Sequence, residues 1–216
     1  MSELPQLNGP RVEPDGGKLE KLVILCHGFG SNGDDLIGLV PHLKRALPNA
    51  VYVSPNAPEV CFGAPNGHQW FPLSTLSKEE RLVGILNAAP TLDHFIDQEL
   101  EKYNFEEKDL ILVGFSQGTM MSLHVGLRRK TAIGGIIGFS GAMTLPENWK
   151  DDITSKPPVL LVHGDMDNVV PVTMMHEAYK ALEEVDVNVD KHVSPGVMHN
   201  IGPDGLQKAL EFLAQL

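Results

Sequence analysis

Continuous apolar runs alternate along the chain with longer stretches whose apolar residues recur at helical spacing. Runs that are apolar at every position are typical of strands covered on both faces, and the intervening helices provide that cover. The predicted strands are Leu22–Cys26, Ala50–Ser54, Leu110–Gly114, Ile133–Phe139, Val159–His163 and the alternating Val187–Val193. The predicted helices are Asp34–Leu47, Glu79–Tyr103, Gln117–Lys130, Thr173–Val185 and Leu206–Leu216. This order predicts an α/β fold built on a doubly wound, mostly parallel sheet.

The 216 residues are enough for one domain with a hydrophobic core. Residues 1–17 carry no periodic pattern and are interpreted as a loose N-terminal segment, and residues 18–216 as a single α/β domain. The N-terminus has neither the basic nor the apolar region of a signal peptide. The apolar runs are of strand length and too short to span a bilayer.

The balance of charge narrows the classes of partner. The chain has 17 Lys and Arg against 28 Asp and Glu, a formal charge of −11. An acidic surface repels phosphate backbones and anionic lipids, so we expect no nucleic acid partner and no stable membrane association. Cys26 and Cys61 form no CxxC motif and no disulfide framework, which favours a reduced, cytoplasmic location.

Two serines follow Gly-Phe at the end of an apolar run. Ser116 lies in "GFSQG", a G-x-S-x-G pattern between a predicted strand and a predicted helix. Such a turn needs small residues two positions before and after the nucleophile, and a helix that starts at once. Ser140 lies in "GFSGAM", with Ala142 two positions on and Pro146 before two helical turns could form. Ser116 is therefore the predicted nucleophile.

A serine nucleophile needs a histidine base and a carboxylate that orients it, in the chain order Ser, Asp or Glu, His. His199 lies in "SPGVMHNIG", a loop after the last predicted strand, and is the predicted base. The other histidines after the serine fall on predicted helices or strands: His124, His163, His176 and His192. In "HGDMDNVVP" both Asp165 and Asp167 are candidates, and Asp167 is favoured because it lies further out, towards the histidine loop.

An oxyanion hole needs two backbone amides directed at one point. The predicted donors are Gln117, directly after the serine, and Phe29, between the glycines of the early "HGFG" loop. A phosphate-binding role for that loop is disfavoured because the chain has neither GxxxxGK[ST] nor GxGxxG. No cluster has metal-ligand spacing, so we predict neither a metal nor another cofactor.

With "HGFGSNGDDL", "GFSQG", "HGDMDNVVP" and "GVMHNI" in this order, the chain resembles the carboxylesterase/phospholipase family, which includes the acyl-protein thioesterases. The resemblance implies an α/β-hydrolase fold without a large cap domain. It implies a triad of Ser116, Asp167 and His199, which selects Asp167 over Asp165. It also implies that Phe29 and Gln117 are the oxyanion donors.

The segment Pro55–Ser77 is the predicted wall of the acyl pocket, because its apolar residues are too many for a solvated loop. Its "QWFPL" is similar to the family's Trp-Phe segment, although many members carry Asp where this chain has Pro72. Many members also carry glycine in place of Thr119, a difference expected to alter helix–strand packing. The residues expected to contact substrate are Phe62, Trp70, Phe71 and Leu73.

Together these features predict a serine carboxylesterase that hydrolyses short- to medium-chain acyl esters through an acyl-enzyme intermediate. The substrate would be a small acyl ester or thioester. An alternative is a lysophospholipase or acyl-protein thioesterase, which would need a longer acyl groove. A non-catalytic hydrolase-fold binding module is a third reading, but it predicts a lost catalytic position, and every such position is filled. The sequence leaves open whether the protein is a monomer or a homodimer.

Overall fold

The fold is described from a computed structural model, in which residues 4–14, 16–75 and 77–216 are described. The strands are β1 (Arg11–Val12), β2 (Lys21–Cys26), β3 (Ala50–Val53), β4 (Glu59–Val60), β5 (His68–Gln69), β6 (Leu110–Phe115), β7 (Gly135–Phe139), β8 (Val159–Gly164) and β9 (Val189–Ser194). Seven of these form one sheet in the order β1-β3-β2-β6-β7-β8-β9, and β4 and β5 form a separate hairpin. Every pairing in the main sheet is parallel except that of β1 with β3. The predicted mostly parallel sheet is confirmed.

Helices cover both faces of this sheet. They are α1 (Gly33–Ile37), α2 (Val40–Leu43), α3 (Lys78–Tyr103), α4 (Gln117–Gly126), α5 (Val172–Glu184) and α6 (Pro203–Leu213). One core cluster packs α3, α4 and α5 on one face of the sheet, and a second packs α1, α2 and α6 on the other. On β6, Leu112 belongs to the first cluster and its neighbour Val113 to the second, as the alternation of side chains along a strand requires. The arrangement is doubly wound, as predicted.

Part of the N-terminal segment pairs with the sheet. Residues 1–17 were expected to be loose, but Arg11–Val12 forms the antiparallel edge strand β1 beside β3. Two further backbone bonds hold this segment, from the Ser54 amide to the Pro10 carbonyl and from the Asn56 amide to the Asn8 carbonyl. The Arg11 guanidinium also forms an ion pair with Glu99 on α3. Two residues are too few for a periodic pattern, so this strand arises from pairing rather than from its own sequence.

The helix predicted over Asp34–Leu47 is two short helices. The first ends at Ile37, with Gly38 as its C-cap, and the second has Pro41 in its first turn. Proline is accommodated in the first turn of a helix, where its missing amide has no intrahelical partner. Pro90, by contrast, lies inside α3 without ending it.

The order of the strands determines where a site can form. The chain passes from β2 outwards to β3 and then returns to the other side of β2 with β6. In doubly wound sheets a crevice opens at such a reversal, beyond the carboxyl ends of the two strands. Here the loop after β2 begins at His27 and the turn after β6 contains Ser116. Within the described residues no inserted domain covers this end of the sheet, and none of the helices is long and apolar enough to cross a membrane.

Candidate active site

Ser116 occupies a strained turn between β6 and α4. Its backbone has φ 53° and ψ −115°, in the region that side chains disfavour, and α4 begins at the next residue. The flanking glycines are required by space: a Cβ on Gly114 would lie 2.5 Å from the Thr119 nitrogen, and one on Gly118 would lie 1.8 Å from the Cys26 carbonyl oxygen. The strand and the helix therefore approach closely enough to present Ser116 at the crevice.

The three residues predicted as a triad lie together. The Ser116 hydroxyl is 3.0 Å from Nε2 of His199, and Nδ1 of His199 is 2.7 Å from Oδ2 of Asp167. Nδ1–H donating to the carboxylate leaves Nε2 free to accept from the serine hydroxyl. The imidazole also packs against the ring of Phe115, with 5.0 Å between ring centroids. This arrangement can remove the hydroxyl proton of Ser116 and hold the resulting imidazolium.

The carboxylate of Asp167 is fixed by its own loop. Its side chain is fully buried, and Oδ1 accepts hydrogen bonds from the amides of Val169 and Val170 at 2.9 and 2.8 Å. Nε2 of His163 lies 3.2 Å from Oδ2 and donates to the Val170 carbonyl at 2.7 Å. Burial lowers the pKa of His163, which keeps this ring neutral beside the pair. His163 thus braces the loop.

Asp165 contacts a different part of the histidine loop. Its Oδ1 accepts a hydrogen bond from the Gly196 amide at 2.6 Å, in the turn that follows β9. Asp165 therefore ties its own loop to the neighbouring one, which carries His199. The geometry thus separates the two candidates, since Asp167 contacts the histidine and Asp165 supports the histidine loop.

Ser140 shares one backbone feature with Ser116 but lacks its surroundings. Its φ is also positive, at 48°, which the sequence did not predict. The chain after it forms no helix, the side chain is buried, and its hydroxyl lies 3.4 Å from the Asn200 carbonyl oxygen. No basic nitrogen contacts this hydroxyl among the described residues, so the geometry offers Ser140 no activating base.

The "GFSGAM" stretch instead makes room for Thr119 on α4. A Cβ on Gly138 would lie 2.5 Å from Thr119 Cγ2, and one on Gly141 would lie 2.3 Å from Thr119 Cβ. The Thr119 hydroxyl donates to the Phe139 carbonyl at 2.8 Å. The threonine at position 119, where many family members carry glycine, is therefore accommodated by Gly138 on β7 and by Gly141 after that strand.

Hydrogen bonds of a buried histidine hold the loop after β2 in place. Nε2 of His27 accepts from the Ala57 amide at 2.9 Å, while Nδ1 donates to the Gly28 carbonyl at 2.8 Å. Burial lowers the pKa of His27, consistent with this neutral tautomer. Gly30 has φ +76°, which favours glycine, and its amide donates to the His68 carbonyl. The residue between the two glycines, Phe29, is thereby brought to the cleft beside Ser116.

Gln117 follows Ser116 directly, and its side chain also binds the buried segment that contains Trp70 and Phe71. Its side chain accepts from the Trp70 amide at 2.9 Å and donates to the Phe71 carbonyl at 2.8 Å. The Trp70 indole donates in turn to the His27 carbonyl at 3.0 Å. Because the first amides of a helix have no intrahelical acceptor, the Gln117 backbone N–H remains available at the start of α4. The predicted oxyanion donors Phe29 and Gln117 thus line the same cleft as Ser116.

The cleft at Ser116, called here the acyl cleft, has a volume of about 300 Å³. Its lining residues are Phe29, Leu73, Ser74, Thr75, Ser116, Gln117, Met120, Val169, Val170 and His199. Of the predicted substrate contacts, only Leu73 lies here. Trp70 and Phe71 are buried in the core, where Gln117 anchors their backbone. Phe62 is fully exposed in the turn between β4 and β5.

Three apolar lining residues were missed by the sequence analysis. Met120 lines the cleft from the first turn of α4, and its signal was hidden because every residue of that helix is buried. Val169 and Val170 follow the acidic residue in "DNVVP", and Val169 is about half exposed. An apolar pair in a loop next to a catalytic candidate was a signal that could have found them.

Comparison with known proteins gives consistent matches across the chain. The profile of the phospholipase/carboxylesterase family matches residues 7–216. Acyl-protein thioesterase 1 of Saccharomyces cerevisiae is 30% identical over 96% of this chain and 97% of its own. The crystal structure of esterase PE8 superposes with a TM-score of 0.94 at 42% identity, covering 97% of this chain and 99% of that one. A phospholipase/carboxylesterase from Dyadobacter fermentans superposes with a TM-score of 0.77 at 25% identity, covering 98% of each chain.

Proposed function

Because the chain belongs to the phospholipase/carboxylesterase family of α/β-hydrolases, we propose that it is a serine carboxylesterase acting on short- to medium-chain acyl esters. The observation that carries this proposal is the unbroken chain of hydrogen bonds from Ser116 through His199 to Asp167. That chain ends at an open apolar cleft, where an acyl carbonyl can approach the serine hydroxyl.

In the proposed mechanism, the Ser116 hydroxyl attacks the acyl carbon as His199 Nε2 takes its proton. Asp167 holds the Nδ1–H tautomer and stabilises the imidazolium that forms. The amides of Phe29 and Gln117 donate to the negative oxygen of the tetrahedral intermediate. When the bond from carbon to the leaving oxygen or sulfur breaks, His199 returns its proton to that atom. Water activated by the same histidine then hydrolyses the acyl-serine and restores the enzyme.

The size and walls of the acyl cleft support a substrate of limited chain length. About 300 Å³ is at the small end of ligand pockets. The apolar side chains of Leu73, Met120, Val169 and Val170 line it, so each methylene that enters is stabilised by roughly 0.8 kcal/mol. Carbons beyond the end of the cleft stay in water and add nothing.

A thioesterase activity is the second candidate, and the names of the relatives favour it. Acyl-protein thioesterase 1 of Saccharomyces cerevisiae aligns over nearly the whole chain. A thioester differs from an ester in its leaving atom only, so the same serine, base and oxyanion donors serve both reactions. A lysophospholipase activity would require a longer acyl groove than the cleft beside Ser116 offers.

The proposal is tested by labelling with a fluorophosphonate probe, which reacts only with an activated serine. Wild-type protein and a Ser140→Ala variant should label and hydrolyse p-nitrophenyl butyrate, and a folded Ser116→Ala variant should do neither. Loss of labelling in folded Ser140→Ala, or its persistence in Ser116→Ala, would contradict the assignment of the nucleophile. Absence of labelling and hydrolysis in the wild-type protein would overturn the proposed function.

A further inference from the structure

A second groove, of about 500 Å³, opens on the side of the catalytic residues that carries α1 and α6. We call it the α1–α6 groove and define it by Ser31, Asp35, Leu39, Phe115, Asn200 and Leu206. None of its lining residues also lines the acyl cleft, so the two are separate depressions in the surface.

Neighbouring residues of the same three segments line the two depressions. Ser116 lines the acyl cleft while Phe115 lines the α1–α6 groove, and His199 and Asn200 divide in the same way. The loop after β2 does so too, with Phe29 on one side and Ser31 on the other. The rings of Phe115, which lines the groove, and His199, which lines the cleft, are in contact, with centroids 5.0 Å apart.

An ester has two arms that diverge from its carbonyl carbon. With the acyl arm in the acyl cleft, the leaving arm must pass on the other side of Ser116. His199 must also lie next to the leaving atom, because its Nε2 returns the proton to that oxygen or sulfur when the bond breaks. From this geometry we infer that the α1–α6 groove binds the alcohol or thiol arm of the substrate. The inference rests on the proposed esterase function and adds a specificity site to it.

The lining of the groove indicates the class of leaving arm. Leu36, Leu39, Ile201 and Leu206 provide apolar walls. At one side Ser31 Oγ donates to Asp35 Oδ2 at 2.8 Å. His42 also lines the groove, while no lysine or arginine is among the described lining residues. The Asp35 carboxylate attracts a cation and repels an anion. We therefore expect a compact, partly apolar arm that ends in a cationic or neutral polar group, rather than one that carries phosphate.

The apolar wall is tested by filling the groove and varying only the leaving arm. Methyl butyrate and 3,3-dimethylbutyl butyrate share one acyl group but differ in the size of the alcohol. Leu39→Trp should lower kcat/KM for the larger ester about tenfold or more relative to the methyl ester. Leu86→Trp, at an exposed leucine on α3, is the matched control and should leave the ratio of the two esters unchanged.

The acidic side is tested with a charged isostere. Butyrylcholine and 3,3-dimethylbutyl butyrate have the same shape and differ by one positive charge. Asp35→Asn should reduce the preference for the cation by about two- to fivefold, the range of an exposed charge contact. Asp34→Asn removes the same charge from the neighbouring position outside the groove lining and should have a smaller effect. Thermal denaturation of each variant verifies folding.

The outcomes separate this inference from the proposed function. If p-nitrophenyl butyrate is hydrolysed and Ser116 is labelled, yet Leu39→Trp and Leu86→Trp give the same ratio between esters, the groove does not bind the leaving arm. Equal effects of Asp34→Asn and Asp35→Asn would overturn the cationic preference. Loss of labelling in wild-type protein would instead remove the esterase function on which the inference depends.

Discussion

Thr119 packs against β7, and this contact gives a testable prediction. The expected change in the free energy of unfolding follows from the gain or loss of one methyl group. A Cβ added at Gly138 would lie 2.5 Å from Thr119 Cγ2, well inside contact distance, while its distance to Leu161 Cδ2 would be an ordinary 3.4 Å. Gly138→Ala should therefore overpack this site and destabilise the protein by about 1–3 kcal/mol. Thr119→Ser removes the opposing methyl but keeps the hydroxyl that donates to Phe139, and should cost about 0.5–1.5 kcal/mol.

The double variant Gly138→Ala/Thr119→Ser adds a methyl group on β7 and removes the opposing one on α4. Its total volume is unchanged, so we expect a free energy of unfolding within about 1 kcal/mol of wild type. Additivity would instead predict a loss of about 1.5–4.5 kcal/mol, the sum of the single effects. The coupling energy should thus be about 0.5–4.5 kcal/mol in favour of the pair.

Urea unfolding of the wild type, the two single variants and the double variant measures this coupling. Thermal unfolding is a second measure, since at this chain length a change of about 1 kcal/mol shifts Tm by about 2–4 °C. Gly138→Ala combined with Thr91→Ser is the control, because Thr91 is a buried threonine on α3 outside the neighbours of Gly138. That pair should be additive. Additive losses in Gly138→Ala/Thr119→Ser, or a stable Gly138→Ala, would refute the account of how the turn at Ser116 tolerates a threonine.

Further predictions concern the site and its walls. His199→Ala should lower kcat by several orders of magnitude, whereas His192→Ala should cost less than about tenfold in steady-state assays; comparable losses would contradict the base assignment. Asp167→Asn should reduce kcat far more than Asp165→Asn, which should mainly lower Tm, and the reverse order would exchange their roles. Hydrogen bonds from Thr75 and Ser74 lower the pKa of Glu80 to about 2 from 4.5, so its stabilisation is present above pH 4.5 and is lost as pH falls towards 2. Melting curves of Glu80→Gln should therefore depend less on pH in that window than those of wild type, and equal slopes would exclude this contribution. For p-nitrophenyl esters, kcat/KM should rise from acetate to a maximum between about C4 and C10 and then fall, and a monotonic rise through palmitate would favour a lipid or acyl-protein substrate.

The sequence predicted the central sheet well because its strands carry their own signal. Runs such as Leu110–Gly114 are apolar on both faces, and only the middle of a covered sheet satisfies them. β1 has no such signal, since Arg11–Val12 becomes a strand through pairing with β3. The break between α1 and α2 was indicated in the sequence by Gly38 and Pro41, although the overall helical spacing concealed it.

The catalytic positions were predictable for a related reason. The strained turn at Ser116 needs glycine at fixed offsets, and that need is visible in the sequence. The wall residues were not predictable from composition. Trp70 and Phe71 look like pocket residues, but the Gln117 side chain turns their backbone into the core. That contact joins residues nearly fifty positions apart, which no local pattern reveals.

The covalent intermediate offers the most direct test of the central claim. Wild-type protein is mixed with p-nitrophenyl butyrate, quenched in acid within the first turnover, digested and mapped by mass spectrometry. We predict one butyryl adduct, on the peptide that contains Ser116, and no adduct in a folded Ser116→Ala variant. A butyryl group on the Ser140 peptide, or hydrolysis with no adduct on Ser116 in any quenched sample, would contradict the account.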